Sequence, residues 1–157
     1  MPGLNVVLDT SGAPLREVIN NPIPGLFVLR MDDEEAAQIA GHKLETRKQT
    51  ADFATDLVNR GVARRVIIAR GADGSVLAEA GRRIFATAAK VKLVSRVGAG
   101  DSFVAGFVLA VARGLDSAEA LSYGAAAASA AVLTDATQLC RLADVERLLP
   151  QCVASEV

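Results

Sequence analysis

Gly98 and Gly100 stand just before Asp101-Ser102 and an apolar run that only Gly106 interrupts. That is the pattern of a tight loop feeding straight into a buried helix. It leaves the amides of Gly98, Ala99 and Gly100 at a helix N-terminus, where no intrahelical carbonyl accepts from them. With side chains this small, a phosphate can approach the backbone and lie on the positive end of the helix dipole. Asp101 would repel that phosphate unless it serves a second reactant, taking the proton from a hydroxyl that attacks phosphorus. An Asp that caps a helix after a glycine turn gives the same local pattern, so spacing alone leaves both readings open. A second acidic group, Asp32-Asp33-Glu34-Glu35, reads on its own as a solvated helix start favoured by the dipole.

The elements that must position these residues alternate. Asn5-Val6-Val7-Leu8, Gly25-Leu26-Phe27-Val28-Leu29 and Val66-Ile67-Ile68-Ala69 are short apolar runs, expected as buried strands. The last is β-branched and unalternated, as in parallel strands covered on both faces. Helices are expected at residues 14–19, from about 32 to Ala40 before Gly41, and at 46–60 with Phe53, Leu57 and Val58 on one face. Gly71-Ala72-Asp73-Gly74 turns the chain into a hairpin through Ser75-Val76-Leu77-Ala78, continued by edge strands at Ile84-Phe85-Ala86 and Val91-Lys92-Leu93-Val94. The helix after the glycine loop runs to about Arg113-Gly114, an Ala-rich helix capped by Ser117 reaches Leu133, and a last one covers 143–149. Strands alternating with helices make an α/β fold with a largely parallel sheet.

At 157 residues the chain has room for one domain with a real core. Half its residues are hydrophobic (51%) but only 4% are aromatic, so Ala, Val, Leu and Ile must fill the interior. Lys plus Arg (17) nearly balance Asp plus Glu (18), which argues against nucleic acid and anionic membranes as partners. The longest apolar run, residues 124–133, is too short to span a bilayer. Cys140 and Cys152 have no metal or redox spacing, and a reduced, cytoplasmic protein is expected.

Three segments together resemble the PfkB family of sugar kinases, most closely its 6-phosphofructokinase and 1-phosphofructokinase branch. They are the Gly98-Ala99-Gly100-Asp101-Ser102 loop, the strand and turn from Val66 to Gly74, and residues 131–140. The resemblance runs from about Leu4 to about Leu149 and covers only the C-terminal half of the family's ribokinase-like αβα sandwich, with its β-hairpin edge. It implies ATP-dependent phosphoryl transfer to a sugar phosphate. Asp101 would be the general base and the amides of Gly98, Ala99 and Gly100 the anion hole. The family's Asn-x-x-Glu motif, which holds Mg²⁺ and phosphates through water, falls on Asp32 to Glu35, with Asp32 replacing the Asn. The Lys-Pro before it becomes Arg30-Met31, and the nucleotide-contacting Ser-x-Gly becomes Ala69-Arg70-Gly71, with Gly74 kept. A monovalent cation such as K⁺ would lie on the backbone carbonyls of Ser95, Val97, Ala131, Thr134 and Ala136, the last replacing a glycine.

The same resemblance places the family's sugar-binding half and lid outside this chain, so an uncovered sheet edge and uncovered helix faces are expected. A homodimer, or association with an N-terminal kinase half, would cover them. Against the kinase reading stands a truncated, non-catalytic nucleotide-binding or structural module that self-associates. A Rossmann dehydrogenase is disfavoured because Gly98-x-Gly100 lacks a further Gly three residues on and follows late strands.

Overall fold

Val28, Leu29 and Met31 are shut away from solvent, as are Val66 and Ile68, because two adjacent strands here have both faces covered. The computed structural model describes residues 4–135 and 138–157. Six strands and six helices are found among them, and the strands form one sheet in chain order, β1 through β6. β1 (Val7–Asp9), β2 (Val28–Asp32) and β3 (Arg65–Ala69) run parallel, with Asp9 opposite Arg30 and Asp32 opposite Ala69. α1 (Gly12–Asn20) joins the first two, and α2 (Asp33–Ala40) and α3 (Arg47–Asn59) join the second pair. β4 (Gly74–Glu79) follows β3 after a 3-10 turn at Gly71–Asp73, and β5 (Arg82–Thr87) follows after two residues. Connections that short cannot cross over, so this part of the sheet is antiparallel. The sheet is therefore mixed, three parallel strands and then hairpins.

The strand expected at residues 91–94 does not form. That segment is a loop whose end is held from outside, the Val94 and Ser95 amides both donating to the Val132 carbonyl. The edge is instead β6 (Ala154–Glu156), next to β5, with Thr87 and Val157 amides donating to Val153 and Arg83 carbonyls. The burial expected of β1 does not hold either: it lies at the open end of the sheet and is half-exposed, with Val6 beside it at 49%.

The chain divides into two compact units. The first comprises residues up to 71, 76–84 and 156–157. Its core gathers Leu15, Ile19, Leu29, Met31, Leu57, Val66 and Ile68. α3 buries Thr50, Ala51, Ala54 and Leu57 there, with Phe53 and Val58 at its flank rather than its centre. Arg65 lies over the Phe27 ring at 4.6 Å and pairs with Glu79 at 2.9 Å.

The second unit comprises residues 72–75 and the described part of 85–155. It is built on α4 (Ala99–Ala112) against α5 (Ser117–Ala131), with α6 (Leu142–Leu148) after them. The helices pack closely because Gly106 faces Tyr123 and Ala127, and Gly124 faces the Phe103 ring. Phe103 and Phe107 stack at 6.4 Å between centroids. The cap of α5 is Asp116 rather than Ser117, which is the first helical residue; Asp116 and Glu119 satisfy each other's amides. Among the described residues no helix is long and apolar enough to cross a membrane.

Candidate functional site

Local sequence builds the candidate residues of each unit separately. In the second unit Gly98 is the N-cap of α4 with φ of +78°, a left-handed turn that an L side chain resists. Ala99, Gly100 and Asp101 fill the first turn, and the Ser102 amide makes the first helical bond, to the Gly98 carbonyl at 2.9 Å. The Ala99 amide donates to the Arg96 carbonyl at 3.3 Å. Those of Gly98, Gly100 and Asp101 find no backbone acceptor among the described residues. Three amides thus stand at the positive end of a 14-residue helix, Asp101's own replacing the one at Ala99. The Asp101 side chain is exposed and makes no cap bond, since the N-cap is Gly98.

Gly74 is fixed by space as well as by angle. Its φ is +132°, and a Cβ there would meet the Ala86 carbonyl oxygen. Asp101, the amides around it and Gly74 are the candidate residues that the second unit holds.

In the first unit the C-terminal ends of three parallel strands present Asp9, Arg30, Asp32 and Ala69. Parallel strands of α/β sheets offer ligands this end. Arg30 pairs with Asp9 at 3.0 Å. Asp32 caps α2: one of its carboxylate oxygens accepts from the Glu35 amide and one of Glu35's accepts from the Asp32 amide, both at 2.8 Å. Burial pushes the Glu35 carboxyl above its ordinary pKa; the Asp32 and Asp9 charges add to that, while the bond from the Asp32 amide and the Arg30 charge oppose it. One oxygen of each carboxylate stays outside the box. Two carboxylates with water between them and the ion suit Mg²⁺, which keeps several waters in its shell. Among the described residues no group of three or more His, Cys, Asp and Glu side chains gathers for a metal. Two carboxylates acting through water are therefore the fit this chain offers.

The Arg70 side chain is tied to the chain behind it. Its guanidinium donates to the Leu44 and Glu45 carbonyls at 2.9 and 3.0 Å and to the Thr50 hydroxyl, with Thr46 at 3.4 Å. No local signal marks an Arg that reaches back this far.

The monovalent-cation set fares unevenly. The Ala131 carbonyl accepts from the Thr134 amide at 3.1 Å, and the Thr134 hydroxyl lies within bonding distance of both the Ala131 and the Gln138 carbonyls, at 2.8 and 2.9 Å. The Ser95 hydroxyl accepts from the Val97 amide. Ala136 lies outside the described residues.

The sequence pattern of the pfkB family carbohydrate kinases matches residues 3–144. The chain belongs to the pfkB family. It is similar to a 1-phosphofructokinase of Borreliella burgdorferi, 31% identical over 98% of this chain and 48% of that protein. Among solved structures it is similar to phosphofructokinase-2 from Escherichia coli in complex with potassium. That likeness has a TM-score of 0.84 at 27% identity, over 93% of this chain and 47% of that one. It is also similar to an Arabidopsis thaliana ribokinase complexed with ribose and ATP, TM-score 0.74 at 26% identity, over 93% and 47%. The fold is thus the ribokinase-like α/β fold of the pfkB kinases, and the chain spans about half the length of the relatives it matches.

Proposed function

We propose that this chain is the nucleotide-handling part of an ATP-dependent sugar-phosphate kinase of the phosphofructokinase type. The observation that carries the reading is the start of α4, where free amides at a left-handed glycine turn stand beside an exposed Asp101. Oxygens of the transferring phosphoryl group would bind the amides of Gly98, Gly100 and Asp101, fixed dipoles that need no reorganisation during the reaction. Asp101 would take the proton of the sugar hydroxyl as its oxygen forms the new P–O bond. The bond from the γ-phosphorus to the β–γ bridging oxygen breaks, and ADP leaves with that electron pair. Asp32 and Glu35 would hold Mg²⁺ through water. When bound, Mg²⁺ neutralises charge on the phosphate oxygens. Arg30, Ala69, Gly71 and Gly74 would meet the nucleotide. In this reading the acceptor sugar phosphate is recognised mainly by the part of the relatives that the chain does not match.

A second reading, a non-catalytic nucleotide-binding module that self-associates, is favoured by one observation. The outward face of α4 is apolar, with Ala105, Val108, Leu109 and Ala112 exposed and no charged side chain between Asp101 and Arg113.

Calorimetry with Mg-ATP and Mg-ADP at millimolar concentration tests what the two readings share. Saturable binding that needs Mg²⁺ is expected. A folded sample that gives no binding heat removes the nucleotide site. A phosphoryl-transfer assay with a complementing N-terminal half separates the kinase from the module.

A further inference from the structure

We infer that Arg70 is a positioning residue, a clamp that fixes the end of β3 against the start of α3 and so sets the turn at Gly71–Asp73. The turn's ligand rests on the nucleotide reading above; the clamp itself rests on geometry alone.

The guanidinium spans three consecutive carbonyls, Leu44, Glu45 and Thr46, and the wholly buried Thr50. The segment it grips is itself held. Thr46 caps α3, accepting from the Gln49 amide, and the Gln49 side-chain oxygen accepts from the Glu45 and Thr46 amides at 2.8 and 3.0 Å. Residues 44–46 therefore have their carbonyls held by Arg70, and Glu45 and Thr46 also have their amides held by Gln49, which makes the segment a rigid anchor. Arg70 sits between Ala69, the last residue of β3, and Gly71, the first of the turn. Its backbone is part of the turn and its side chain is tied to that anchor. The planar fork of an arginine can satisfy several carbonyls at fixed angles, whereas a lysine offers one compact ammonium on a flexible stem. An arginine beside a nucleotide-contacting loop invites assignment as a phosphate ligand. Here the guanidinium is committed to the protein, so its influence on a bound nucleotide passes through the backbone of residues 69–73.

The test combines two measurements on Arg70→Ala, Arg70→Lys and Thr50→Val. Amide hydrogen exchange is followed without ligand, and Mg-ADP affinity is measured well below the unfolding midpoint. Both Arg70 variants should speed exchange at residues 69–73 and weaken Mg-ADP binding about tenfold, the lower end for residues that orient a site. Thr50→Val should act in the same direction more weakly and add nothing in the Arg70→Ala background. Unchanged exchange at 69–73, or full rescue of exchange and affinity by Lys, overturns the clamp. Should Arg70→Ala fail to fold, Thr50→Val decides: normal exchange at 69–73 overturns the proposal, and faster exchange supports it. If the wild type binds no Mg-ADP while Arg70→Ala still loosens the turn, the nucleotide reading falls and the clamp stands.

Discussion

Asp32 and Glu35 cap each other, each carboxylate accepting the other's backbone amide at 2.8 Å. The pair that the family motif assigns to Mg²⁺ thus also starts α2, and the two duties separate by substitution.

Glu35→Gln keeps the box, because Gln serves at this position as well as Glu, but removes the charge. The folded protein holds the Glu35 proton to higher pH than the unfolded chain does, mainly through burial. That stabilising contribution is complete below the pKa of the unfolded chain and is lost as pH rises through the folded value. The stability gain of Glu35→Gln over wild type should therefore grow with pH across that window, read by thermal melts from pH 4 upward at roughly half-unit steps. Mg²⁺-dependent nucleotide binding should weaken in the same variant. A flat difference with pH contradicts the assignment.

Asp101→Asn keeps the side chain's shape without the basic oxygen. Any phosphoryl transfer by the chain with a complementing half should fall by about 10²–10⁴. Because Asp101 is exposed at the helix start and caps nothing, nucleotide affinity and melting temperature should hold. Near-normal turnover in the Asn variant refutes the base.

Gly106→Val introduces a side chain where a Cβ already meets the Tyr123 carbonyl and the Ala127 methyl at 2.8 Å. Overpacking at a helix contact costs about 1–3 kcal/mol. Denaturant titration should show that loss, and a double variant with Ala127→Gly should recover part of it.

Self-association should appear in light scattering across a dilution series. α4 is apolar around most of its circumference, and a helix of that kind is ordinarily buried. Val108 at 40% exposure and Leu109 at 43% are the most exposed large side chains on it. Replacing either by Lys should lower the measured mass. A wild-type monomer at micromolar concentration contradicts the expected homodimer.

Cys152 is buried, and burial pushes its thiol pKa up, with the Ala89 amide and Ser129 hydroxyl opposing. Cys140 is half-exposed. Iodoacetamide at neutral pH should therefore label Cys140 and spare Cys152 until the protein is unfolded. Labelling of both at equal rate in the native state contradicts this packing.

What was legible in the sequence was what is local. The glycine loop, the helix it starts and the acidic start of α2 depend on residues within four positions of one another. What was not legible depends on distant partners. Residues 91–94 have the β-branched composition of a strand, yet the Val94 and Ser95 amides go to the Val132 carbonyl and no ladder forms. β6 is only three residues long, too short for alternation to show, and its pairing partner lies about seventy positions earlier. Arg70 takes its acceptors 20 to 26 residues back, where the packing of α3 on β3 brings the start of that helix within reach. That the Ala99 amide is taken by the Arg96 carbonyl depends on the angle at which residues 96–98 enter the helix, which spacing does not set.

The order of strands in the sheet is the order of strands in the chain. Each strand therefore pairs only with those made just before and just after it, and no strand waits for a later one to be inserted between two already formed. Closures from β1 to β5 stay short, which favours rapid folding, while β6 returns to β5 across about seventy positions. The sheet can grow from one side as the polypeptide emerges during synthesis, with β2 and β3 already zipped while the glycine loop is still being translated.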